Sequence, residues 1–110
     1  MSTQRESVLW IGYSGKKYEY QVLAARENFI MGGNFIWAIR NANDWTPVYA
    51  GHADNMNDAF DSSIFECAIK HGATILHVRI HLEDNQASLN EQKDIVDLWR
   101  PVCNKSQTTT

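Results

Sequence analysis

The sequence predicts an α/β chain in the α+β sense: a small, mostly antiparallel sheet with helices packed on it. Three observations carry this. Short β-prone runs bounded by turn residues fill residues 8–13, 18–24, 33–39 and 45–49, and residues 74–82 alternate strictly. Polar turn signals, Ser14-Gly15-Lys16-Lys17 and residues 41–44, join the first four runs into two hairpins. Runs with helical spacing and capping residues lie in the second half of the chain.

Residues 1–7 are polar and carry no element, and residues 1–16 read as an N-terminal extension contributing a hairpin strand. In the next run Tyr18, Tyr20 and Val22 alternate with Glu19, Gln21 and Leu23; apolar members in both sets imply partial cover on both faces. Residues 26–28 connect, and residues 29–31 form a short apolar element ended by Gly32-Gly33. Gly33-Asn34-Phe35, continued by Ile36, Trp37 and Ile39, is a strand that pairs with the one ending in Val48 and Tyr49. Gly51 then releases the backbone, and Asp54 or Asn55 caps a helix through Met56, Ala59 and Phe60.

Asp61-Ser62-Ser63 opens a further helix through Ile64, Phe65, Ala68 and Ile69, stopped at His71-Gly72. In the strand at 74–82, Leu76, Val78, Ile80 and Leu82 face one side, and Ile75, His77, Arg79 and His81 the other. The His-Arg-His face is expected to be half exposed. Ser88-Leu89-Asn90-Glu91 matches a capping box, and the helix it opens runs to about Trp99, before Pro101. Residues 17–104 form the domain, and residues 105–110 a polar tail expected to lack order.

A chain of 110 residues, 44% hydrophobic and 21% charged, suits one domain with a real core. The formal net charge of -3 supplies no global field to draw in nucleic acid. No run of eighteen apolar residues and no apolar leader segment occurs, so a cytoplasmic protein with no membrane partner is expected. Cys67 and Cys103 are too few for a disulfide framework or a zinc site built of Cys alone, so reduced thiols are expected, with Cys67 as core filler.

Two Gly/aromatic tripeptides (Gly33-Asn34-Phe35 and Tyr49-Ala50-Gly51), the helix after the second, and a late helix ending in Arg100-Pro101-Val102-Cys103-Asn104 together resemble the GIY-YIG nuclease superfamily. The resemblance covers residues 17–104 and is closest to small stand-alone members. It implies phosphodiester hydrolysis by two tripeptide tyrosines, an arginine on the next helix and a metal-binding glutamate on a later one. Carried over residue by residue, the second tyrosine is Tyr49. The first is replaced by Phe35, the lysine that often follows by His52, the arginine by Ala59 and the glutamate by Gln92; the terminal asparagine is kept as Asn104.

These replacements imply a degenerate site. A neutral Gln92 does not hold Mg²⁺ by itself, and loss of the arginine removes an electrostatic contribution of roughly 100- to 1,000-fold in rate. Gln92 falls within an apolar stripe of Leu89, Ile95, Val96 and Trp99, so it is expected inward, bonded to Tyr49 or to backbone. Tyr49 has an ordinary role as a strand-end core tyrosine, and the four tryptophans read as core or rim. His77 and His81 lie about 13 Å apart along the strand, too far to chelate one ion.

The function expected is a noncatalytic binding or interaction module, with no cofactor and a partner that is either a protein or a nucleic acid. Tyr49 and His52 are its residual catalytic positions; Phe35, Ala59, Gln92, Asn104 and His77 line its groove. One alternative is a Mg²⁺- or Mn²⁺-dependent endonuclease rebuilt from Tyr49, His52, His77 and Glu91. Another is a noncatalytic nucleic-acid binder using Lys16, Lys17, Arg40 and Arg79.

Overall fold

Strands β1 (Ser7–Ile11), β2 (Lys17–Leu23), β3 (Gly33–Asn41) and β4 (Asp44–Ala53) precede helix α1 (Ser62–Lys70), strand β5 (Ile75–Ile80) and helices α2 (Asn85–Trp99) and α3 (Val102–Gln107). This is a computed structural model, and it describes residues 6–23, 32–53, 61–73, 75–80 and 85–107. The strands form one antiparallel sheet in the order β1-β2-β5-β3-β4, curled into a half-barrel with the helices packed on it. The α+β class is thus as expected, and every described pairing is antiparallel. The helix expected around 54–60, with Ala59, lies outside the described residues, as do the elements expected at 26–28 and 29–31 and the side chain of His81.

Both predicted hairpins form. Gly15, at φ +92°, turns β1 into β2, and Ala42, at φ +52°, lies in the turn between β3 and β4. Phe35 stands opposite Gly51 and Trp37 opposite Tyr49, so the two tripeptides are neighbours in the sheet. Asp61 caps α1 by accepting from the Ser63 backbone N–H at 3.1 Å, and Gly72 follows its end at φ +91°. Residues 105–107, expected as part of a polar tail, continue α3 instead.

The sheet is covered on both faces. Phe35, Trp37, Tyr49, Leu76 and Val78 point to one side, where α1 and α3 contribute Ala68 and Cys103. Trp10, Tyr20, Ile36, Ala38 and Ala50 point to the other, against Ile95 of α2. This second layer corrects the expected half-exposed His-Arg-His face: His77 is completely buried. Alternation in β5 separates the two faces but does not say which is covered, and here both are.

The expected reduced thiols are also corrected. Cys67 of α1 and Cys103 of α3 are joined by a disulfide across 36 residues of sequence. Distance along the chain is no guide here, because both helices pack on the same sheet face. Closing a loop of this length stabilises by about 4 kcal/mol in the chain-entropy treatment.

Asp94 of α2 fastens the β1–β2 turn. Its carboxylate accepts from the Ser14 N–H at 2.8 Å, the Ser14 hydroxyl at 2.6 Å and the Tyr18 hydroxyl at 2.7 Å. Its carbonyl accepts from the Tyr13 N–H at 2.9 Å. Gly12 lies so close that a Cβ there would collide with the carboxylate. Helix α2 is therefore held at the N-terminal hairpin while its other side meets β4.

Candidate functional site

β4 is the last strand of the sheet, and its outer edge leaves backbone groups to be satisfied. At Ala50 two helices supply the partners. The Ala50 N–H donates to Asn104 Oδ1 at 2.8 Å, and Asn104 Nδ2 donates back to the Ala50 carbonyl at 2.8 Å. Gln92 Nε2 donates to the same carbonyl at 3.2 Å. Asn104 comes from α3 and Gln92 from α2, so Ala50 is where the helices of the two sheet faces converge.

Beside this junction opens a groove of about 450 Å³, bordered by Tyr49, Gln92, Asn104, Lys93, Leu89 and Val96. Tyr49 stacks against the buried Phe35 ring at 5.7 Å. A Cβ on Gly51 would come within 2.5 Å of Phe35 Cζ and 2.9 Å of Tyr49 Cε2, so the glycine makes room for both rings. Burial, with the negative charge of Asp61 as a smaller contribution, raises the Tyr49 hydroxyl above its ordinary value. It is thus a neutral phenol near pH 7, able to donate and accept.

The opposite sheet face carries a polar row, buried at its centre and half-buried at its ends. In register lie His52 of β4, Asn34 of β3 and Arg79 of β5. Asn34 Nδ2 donates to the Ser88 carbonyl at 2.9 Å, and Asn34 Oδ1 accepts from the Ser88 hydroxyl at 2.8 Å. The Ser88 hydroxyl has one proton and gives it to Asn34. Its 2.9 Å contact with His52 Nδ1 must therefore be donated by the imidazole, which leaves Nε2 as the lone-pair nitrogen of neutral His52.

Farther along the same face Glu91, 3% exposed, accepts from the Tyr20 hydroxyl at 2.6 Å and from Arg79 Nε at 3.0 Å. Burial, then the Glu91 charge, raises Tyr20 well above the usual phenol value.

Several sequence expectations change here. Ser88 and Glu91 do not form a capping box, because α2 begins at Asn85 and Ser88 is already inside it. Instead Ser88, Glu91 and Ile95 form the buried side of α2; Gln92 is half-buried, while Leu89 and Trp99 are exposed. The expected stripe was out of phase by about one residue. Tyr49 and His52, three apart on one strand, project to opposite faces and share no site.

His77 lies away from the groove, between Trp45, whose ring centroid is 4.5 Å away, and Trp10, whose Nε1 donates to His77 Nδ1 at 2.9 Å. Its Nε2 is buried with no hydrogen-bond partner among the described residues. Of the positions named from sequence, Phe35, Tyr49, Gln92 and Asn104 do come together. Tyr49, His52, His77 and Glu91 do not.

Sequence reasoning missed the Ser88–Asn34 and Glu91–Tyr20–Arg79 contacts. The available signal was Asn34, a polar residue opening an otherwise apolar strand. No protein-family model, curated protein or solved structure matches this chain.

Proposed function

We propose that this is a noncatalytic binding domain of GIY-YIG type, whose groove beside Tyr49 engages a partner without cutting a phosphodiester. The observation that carries this reading is the Gln92 side chain at the groove. A nuclease of this type needs a metal-holding carboxylate there, and a neutral amide donating to the Ala50 carbonyl takes the place instead. The neighbouring Glu91 is turned toward the sheet and held by Tyr20 and Arg79. The two tripeptides paired in β3 and β4, followed in the chain by α1, β5, α2 and α3, support the family likeness.

A protein segment suits the groove better than a polynucleotide. Leu89 and Val96 give it an apolar floor, and Lys93 is the cation among its lining residues. Two of the four basic residues that a nucleic-acid binder would use have partners within the chain. Arg79 pairs with Glu91 at 3.0 Å, and Arg40 lies 3.6 Å from Glu6 and 5.1 Å from the Trp45 ring.

Substoichiometric Mn²⁺ added to the ¹⁵N-labelled protein tests this reading. We expect no selective paramagnetic broadening at residues 49–51 and 89–93. Broadening centred there would assign a metal site to the groove and overturn the noncatalytic reading.

A further inference from the structure

We propose that, in the reduced protein, Cys67, His71 and Cys103 bind a thiophilic divalent cation of the zinc type, at a site that the Cys67–Cys103 disulfide closes. Cys67 and His71 are four residues apart at the end of α1, the spacing that puts two side chains on one helical face. Cys103 reaches them from α3. One ligand atom from each residue lies within 4.8 Å of the other two. Around tetrahedral zinc, with bonds of about 2.3 Å to sulfur and 2.0 Å to nitrogen, these donor atoms would sit roughly 3.5–3.8 Å apart. Parting the sulfurs and turning one imidazole therefore assembles the set.

His71 is the informative member, because a disulfide has no use for an imidazole. Its backbone N–H donates to the Cys67 carbonyl at 3.1 Å, so its position is fixed while its exposed ring stays free to turn. Two thiolates and an imidazole select a zinc-type ion over hard cations such as Mg²⁺. Three protein donors leave a fourth position on the exposed His71 side for water or an exogenous ligand.

Opening the site needs a dithiol reductant. One of its thiolates attacks Cys67, the half-buried sulfur, and the S–S bond breaks with Cys103 leaving as thiolate. The second reductant thiolate then displaces Cys67. The reductant ends as its own disulfide, two electrons having passed to two cysteine thiols, and cation binding releases their two protons. The ion then takes over the tether between α1 and α3, the helix whose Asn104 pairs with Ala50.

The test titrates the full chain with Co²⁺ and then Zn²⁺, both oxidised and after reduction and anaerobic desalting, against a chromophoric chelator. The expected result is one ion per reduced chain, with a sulfur-to-cobalt charge-transfer band and tetrahedral ligand-field absorption, and none for the oxidised chain. His71→Ala should weaken binding at least about tenfold, while the urea midpoint of the oxidised form stays put. Equal Co²⁺ spectra in both redox states, no charge-transfer band after reduction, or unchanged affinity in His71→Ala would overturn the proposal. Should reduction unfold the chain, recovery of helical circular dichroism on adding Zn²⁺ supports the site, and failure to recover counts against it.

Discussion

The side-chain amide of Asn104 pairs with the peptide of Ala50 as another strand would, giving its oxygen to the N–H and taking the carbonyl with its nitrogen, both at 2.8 Å. This blunts the open edge of β4 and fixes α3 at the groove. Asn104→Ala leaves the Ala50 N–H without its acceptor, while Gln92 still serves the carbonyl. We expect a loss of about 1–3 kcal/mol in urea unfolding, and faster hydrogen exchange of the Ala50 amide than of its neighbours in β4. An Ala50 amide as slow as in the wild type would show that this pairing does not protect the edge.

Gly51→Ala tests why the second tripeptide ends in glycine. The new methyl meets the Phe35 and Tyr49 rings at 2.5 and 2.9 Å, so we expect overpacking to destabilise by about 1–3 kcal/mol. Combining it with Phe35→Leu should recover part of that loss. Strictly additive effects of the two substitutions would show that the rings are not the cause.

His77 sets an acid limit on stability. Burial lowers its folded-state pKa from 6.5 to about 4, and protonating Nδ1 would also turn it against the Trp10 N–H that it now accepts. Between about pH 6.5 and 4 the unfolded chain binds the proton and the folded chain does not. This contribution is therefore complete above pH 6.5, is lost as pH falls toward 4, and changes no further below that. The gap corresponds to roughly 3 kcal/mol. His77→Gln keeps an acceptor for Trp10 and removes the titration. The stability difference between wild type and variant should shrink as pH falls through this window, and a constant difference would contradict the assignment.

Gln92→Glu replaces a donor to the Ala50 carbonyl with an anion. When protonated the new group can still donate to that carbonyl, so its folded-state pKa should rise above the unfolded value. The penalty is then small in acid and grows as pH climbs through that raised pKa, reaching about 1–3 kcal/mol near neutrality. Urea midpoints at several pH values measure it. A variant as stable as wild type throughout would mean that the Gln92 bond to Ala50 contributes nothing. A midpoint raised by Mn²⁺ in this variant would show that a carboxylate suffices to build an ion site there.

The features legible in the sequence were those determined by neighbours in the chain. Gly15 and Gly72 marked the turns, Asp61 marked the start of α1, and alternation separated the faces of β5. The phase of α2 was not legible, because its buried side includes Ser88 and Glu91, whose partners Asn34, Tyr20 and Arg79 come from strands 12 to 71 residues away in sequence. Apolar periodicity alone therefore placed the stripe on Leu89 and Trp99. His77 and the Cys67–Cys103 bond were missed for the same reason, since both depend on which helices cover which face. Tyr49, Gln92 and Asn104, which border one groove, were named from the family resemblance rather than from periodicity.

The noncatalytic reading is tested most directly by incubating the pure protein with end-labelled single- and double-stranded DNA and RNA in Mg²⁺ or Mn²⁺. Under the proposed family likeness Gln92 and Ala59 replace the metal carboxylate and the arginine, and intact substrate is predicted at all times. Metal-dependent cleavage that disappears in Tyr49→Phe would contradict it.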